Sequence, residues 1–174
     1  MKRGEHGFSL IELMTALTVL AVLFAMSVPG FREFTRSNRV AAANNDLVTA
    51  LTLARSEALK RATPVSVCAS ADGTSCVGTT ASDWAVGWIA FTDANGTAGA
   101  VSSGDTVLQT WPAINGEMAL TGSVGFVQYT ATGMVEPAMA QTFDAYFTGC
   151  TGNKLRRVNV SAIGAVSATT ESCP

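Results

Sequence analysis

Histidine is almost missing from the chain. The single copy is His6, in a short polar stretch at the N-terminus. Nothing after it can act as the imidazole base of a Ser–His or Cys–His pair. Charge is also scarce: 14% of the 174 residues are Asp, Glu, Lys or Arg, and the net charge is −2. Residues 62–174 carry only three bases, Lys154, Arg156 and Arg157, against eight acids. A domain built to grip phosphate backbones usually shows the opposite balance. No Gly-rich phosphate loop and no paired carboxylates with acid–base spacing occur. The four cysteines form no CxxC pair, which argues against a zinc site. These shortages exclude the usual enzyme classes, and no cofactor and no metal are expected.

What the chain does have is a long apolar run. Residues 8–28 are apolar except for a few positions, and they follow Met1-Lys2-Arg3-Gly4-Glu5-His6-Gly7. As a helix, such a run covers roughly 30 Å, the thickness of a bilayer's hydrocarbon core. Lys2 and Arg3 would keep the N-terminus in the cytoplasm. An ordinary signal peptide is cut behind its apolar region, at a small-residue site. The run here ends in Ser27-Val28-Pro29-Gly30, with no such site. The processing point therefore falls ahead of the run, at Gly7–Phe8. Glu12 is the anomaly, since a carboxylate within an apolar span costs on the order of 3 kcal/mol and requires a partner. Pro29 predicts a kink or a boundary in the helix.

From Phe31 to about Arg61 the composition favours helix, without internal Pro or Gly. Leu47, Leu51, Ala54 and Ala58 form one apolar stripe that needs a partner surface. Thr63-Pro64 ends the helix. Beyond it the sequence reads as short strands: Val65–Cys68, Trp84–Phe91, Thr106–Trp111, Val124–Thr130, Phe143–Phe147 and Leu155–Ser161. Asp72-Gly73 and Asp93-Ala94-Asn95-Gly96 read as turns. The fold class is α+β, one long helix laid against antiparallel sheet. Three divisions are expected: 1–7 as a leader, 8–62 as a helical spine with 8–28 in the membrane, and 63–174 as a β-rich head. Trp84, Trp88 and Phe91 would be core residues if they alternate on one strand. Cys68, Cys76, Cys150 and Cys173 fit two disulfides in an oxidising compartment; of three pairings, local loop closure favours Cys68–Cys76 and Cys150–Cys173.

Gly-Phe-x-x-x-Glu opening an apolar helix resembles the processing signal of type IV pilins and type II secretion pseudopilins. The head is similar to the GspH/FimT family. The similarity rests on Ala54-Arg55-Ser56-Glu57-Ala58, the Asp83–Gly96 segment, Phe126–Gly133 and Arg157–Gly164. The resemblance implies cleavage by a prepilin peptidase after Gly7 and methylation of the new amine on Phe8. It implies that Glu12 meets the N-terminal amine of a neighbouring subunit and sets helix register. It further implies a low-abundance structural subunit that helps to start or cap a filament, with other major and minor pilins or pseudopilins, an inner-membrane assembly platform and membrane lipid as partners. Its location would be the bacterial inner membrane with the head in the periplasm, and the cell surface after assembly. Some FimT-like proteins are credited with DNA binding through a Gly-Arg-x-Arg motif. Here that position reads Gly164-Ala165-Val166-Ser167, so only Lys154, Arg156 and Arg157 could contact nucleic acid, and DNA is disfavoured.

Overall fold

The computed structural model describes residues 9–80, 83–94, 97–114 and 116–174, without the side chains of 25–30. The expected cleavage and methylation positions, Gly7 and Phe8, lie outside the described residues, as does the Asn95-Gly96 half of one expected turn. The chain divides into two compact units, Met1–Asn38 and Arg39–Pro174.

Helix α1 spans Leu10–Arg61. Ser9 caps its start, with the Ser9 hydroxyl accepting from the Glu12 backbone N–H at 3.3 Å. The helical assignment runs through Pro29 without a break. Between residues 10 and 24 every side chain is exposed. Among the described residues no helix is long and apolar enough to cross a membrane. The expected span, 8–28, is described only in part.

The second unit is built on the helical stripe. Leu47, Leu51, Ala54 and Ala58 are fully buried, and Val40 and Ala43 extend the stripe toward the N-terminus. The helix stops as Thr63-Pro64 requires, with Ala62 in the left-handed region at φ 51°. Two antiparallel sheets follow. One is ordered β3-β2-β1-β5-β6, from Val107–Trp111, Trp88–Thr92, Val65–Ala69, Phe126–Tyr129 and Val135–Glu136. The other is ordered β4-β7-β8-β9, from Met118–Gly122, Gln141–Phe147, Leu155–Val160 and Val166–Glu171. A single apolar core joins the helix stripe to the inner faces of both sheets. β1 and β2 are buried at every position. Their outer face carries Cys68, Ile89 and Phe91 into a smaller core with Val101, Val107 and Phe126. Strands covered on both faces lose the polar alternation that marks a half-buried strand.

The expected Trp84–Phe91 strand is shorter, and this is a correction with a local cause. Only Trp88–Thr92 is strand. Gly87 has φ 103°, and a Cβ there would sit 2.7 Å from the Trp111 carbonyl oxygen and 3.0 Å from that of Ser70. The backbone turns at this point, so Trp84 and Trp88 do not alternate on one strand. Both are nevertheless core. Trp84 donates its indole N–H to the Val124 carbonyl at 2.8 Å and meets Phe143 edge to face at 4.9 Å. Trp88 stacks with Trp111 at 6.3 Å. The expected antiparallel β-structure is divided into two sheets, linked by the Asp83–Thr121 bridge and by the Val135 N–H, which donates to the Ala162 carbonyl at 3.1 Å.

Candidate assembly and processing site

Each expected site residue occupies a different setting. Glu12 lies in the first turn of α1, exposed, among exposed apolar side chains that include Leu10, Ile11, Leu13 and Met14. An acid in this position suits the positive end of the helix dipole. No other charged side chain occurs between Leu10 and Phe31. The carboxylate is therefore a lone charge on a surface that is otherwise mainly apolar, with the Thr15 and Thr18 hydroxyls turned back onto the helix backbone.

The cysteines are paired. Cys68 bonds to Cys76 and Cys150 to Cys173. The first bridge closes a loop organised by Asp72. That carboxylate accepts from the Thr74 and Ser75 N–H groups, each at 2.8 Å, and from the Ser75 hydroxyl at 2.6 Å. The Ser75 hydroxyl, followed by the two N–H groups, holds the Asp72 carboxyl well below the usual carboxylate range. The second bridge ties the end of the chain to the turn before β8, and the Cys173 N–H donates to the Gly152 carbonyl beside it.

The three head cations do not form one patch. The β7–β8 register places Arg157 opposite Asp144 and Arg156 opposite Ala145, on opposite faces of the sheet. Arg157 makes a forked pair with Asp144, Nε at 2.6 Å and Nη2 at 2.8 Å. That hydrogen-bonded carboxylate raises the guanidinium pKa further. Arg156 donates to the Thr170 hydroxyl at 2.6 Å. The two arginines are committed to their own sheet.

The residue that sequence reasoning left without a role is Arg55. Its Nε donates to the Gly133 carbonyl at 3.1 Å and its Nη2 to the Ile163 carbonyl at 3.0 Å. One guanidinium thus holds the Thr130–Gly133 turn and the Ser161–Gly164 turn against the helix. Gly164 has φ 78°, and a Cβ there would lie 2.1 Å from the Gly133 oxygen and 3.2 Å from a ring carbon of Tyr129. Tyr129 below is buried with no partner for its hydroxyl among the described residues, and burial pushes that phenol well above its ordinary value, with Arg55 opposing. Three segments quoted for the family resemblance therefore converge on one helix position: Arg55 with its neighbours, Phe126–Gly133 and Arg157–Gly164. The available signal was their co-occurrence; their meeting point required the fold.

The family model for the type II transport protein GspH matches residues 43–164. The prokaryotic N-terminal methylation motif matches residues 2–28. No curated protein matches the sequence. A crystal structure of the type IV minor pilin FimU from Pseudomonas aeruginosa strain PAO1 is similar in fold. Its TM-score is 0.60 at 23% identity, covering 81% of this chain and 99% of that one. A second crystal form of FimU gives a TM-score of 0.57 at 22% identity, with 77% and 99% covered. At these identities the likeness concerns the fold alone. The long helix, the antiparallel sheets packed on it and the two sequence matches lead to one conclusion: the chain belongs to the GspH family of pilin-like proteins and carries the N-terminal methylation motif ahead of its GspH region.

Proposed function

We propose that the protein is a minor type IV pilin, a structural subunit that helps to initiate or cap a pilus after processing at the inner membrane. The observation that carries this reading is Glu12, the lone charge in an exposed apolar helix within the methylation-motif match. On this reading a prepilin peptidase cuts after Gly7 and methylates the amine of Phe8. Residues 8–28 anchor the chain in the membrane, 8–62 serve as the spine and 63–174 stand in the periplasm as the head. Glu12 then pairs with the N-terminal amine of an adjacent subunit. That pairing fixes the axial register of helices that lipid alone leaves free to slide, because a buried carboxylate without a partner is costly. The same geometry serves a type II secretion pseudopilin, and the name of the matching family favours that second reading. The assembly platform and the companion subunits would then be those of a secretion machine.

Glu12→Ala tests the shared core of both readings. The variant should insert into the membrane normally but no longer co-purify with partner pilins. Normal piliation together with normal co-purification would refute the pairing. Identifying the subunits that co-purify with the native chain separates the machines: recovery of secretion components alone would decide for the pseudopilin.

A further inference from the structure

In the second unit a groove of about 250 Å³ runs between α1 and the segment that links the two sheets. Arg39, Ala42, Ala43 and Asp46 form the helical wall, and Trp88, Trp111, Ala113, Ile114 and Met118 are among the residues opposite. The lining is mainly apolar, with one base and one acid. Arg39 and Asp46 are both exposed, and neither makes an ion pair among the described residues. They stand seven residues apart on one helical face, about 10.5 Å along the axis. Trp88 is almost fully buried in this lining, and its indole N–H has no acceptor among the described residues. An apolar trough between two unpaired opposite charges, with an unused donor in its wall, has the features of an interface core inside a polar rim.

We propose that this groove is where a different subunit of the pilin family docks. The partner presents a bulky apolar side chain to the trough, an acid toward Arg39 and a base toward Asp46. The inference rests on the filament-subunit reading above, because that reading makes neighbouring spines parallel. In parallel packing the partner needs an acid followed by a base seven residues later. This chain does not offer that order. Seven residues after Glu12 comes Val19; after Glu33, Val40; after Asp46, Leu53; and after Glu57, Pro64, beyond the helix. The helix of a second copy therefore does not present both charges at this spacing in parallel packing, and a related subunit with complementary charges can.

The test is photo-crosslinking in cells expressing the full chain from its native locus. A benzophenone amino acid replaces Ala113 in one strain and Ala42, on the facing wall, in another; both positions are exposed. A third strain carries it at Leu17, on the apolar helix. Adducts are mapped by mass spectrometry of the joined peptides. The expected result is a peptide from another pilin-family subunit at Ala113 or Ala42. Arg39→Glu should lower its yield by about five-fold or more, because it sets two like charges against each other across the interface. The Leu17 adduct should be unchanged. Adducts only to a second copy of this chain, only to lipid, or to no protein at the two groove positions, while Leu17 still captures pilins, would overturn the groove and leave the filament reading standing. Loss of pilin adducts at all three positions would overturn both.

Discussion

Residues 10–24 and residues 40–58 belong to one helix, and both are rich in Leu, Val and Ala, yet their surroundings are opposite. Leu13, Leu17 and Leu20 are 56%, 58% and 47% exposed, whereas Leu47, Leu51 and Ala54 have no exposure. In the second stretch exposed polar residues such as Asn45, Asp46, Thr49 and Thr52 alternate with the apolar stripe, so one side faces the sheets and the other faces water. The first stretch is apolar on nearly all sides and carries one acid. A helix apolar all round is stable only when something else surrounds it. The first stretch has an incomplete environment, which membrane or neighbouring subunits would supply; the second carries its partner in the same chain.

Four experiments probe that contrast. The largest effect is expected from Gly7→Ala, which should abolish maturation; intact mass of the membrane-extracted chain reports it, and a mature-sized product would refute the cleavage position. Next, Leu51→Ala should destabilise the folded head by about 2–5 kcal/mol, as emptying a packed site does. Leu17→Ala, measured in the same detergent by chemical denaturation, should stay within about 0.5 kcal/mol. Equal losses would erase the distinction between the two stretches. Arg55→Ala should cost about 1–3 kcal/mol by leaving two turn carbonyls without their donor. Arg55→Lys should recover only part, since an ammonium lacks the planar fork. The smallest effect concerns pH. The Asp72 carboxyl is held below its ordinary value in the fold, so its contribution is present above the unfolded value and is lost as pH falls through the folded one. Asp72→Asn should flatten the acid limb of the denaturation curve only slightly, and a large shift would show that the loop does more than hold a turn.

Much of this was legible because it was periodic or punctuated. The helical stripe, its stop at Thr63-Pro64 and the local cysteine loops follow from spacing. β4, β6 and β9 were not legible. Met118–Gly122 is short and interrupted by Ala and Gly, Val135–Glu136 has only two residues, and Val166–Glu171 is an edge strand of small polar residues with little burial. β9 has no buried face to leave a hydrophobic signature, while β4 and β6 bury Met118, Leu120 and Val135 but are too short for those few apolar side chains to register as an alternating strand. The Trp84 segment misled for a different reason: aromatic alternation looks like a strand, while a single positive-φ glycine bends it. Of the candidate site, Glu12 was visible as an anomaly of charge. Arg55 was not, because a helical arginine near a chain of alanines reads as an ordinary solvated face until the two turns are placed against it.

The Gly164 turn has a consequence for protein engineering. Its shape depends on the missing Cβ, on the Gly133 oxygen, on Arg55 and on the Ala165 backbone, which is hydrogen-bonded to Ser161; the side chains of Ala165 and Ser167 are exposed and take no part. Backbone and cargo are therefore separable at this corner of the head. Ala165→Arg together with Ser167→Arg would place a Gly-Arg-x-Arg sequence on an unaltered scaffold. Any nucleic-acid affinity so gained could be credited to the two added charges, with the present chain as its matched blank.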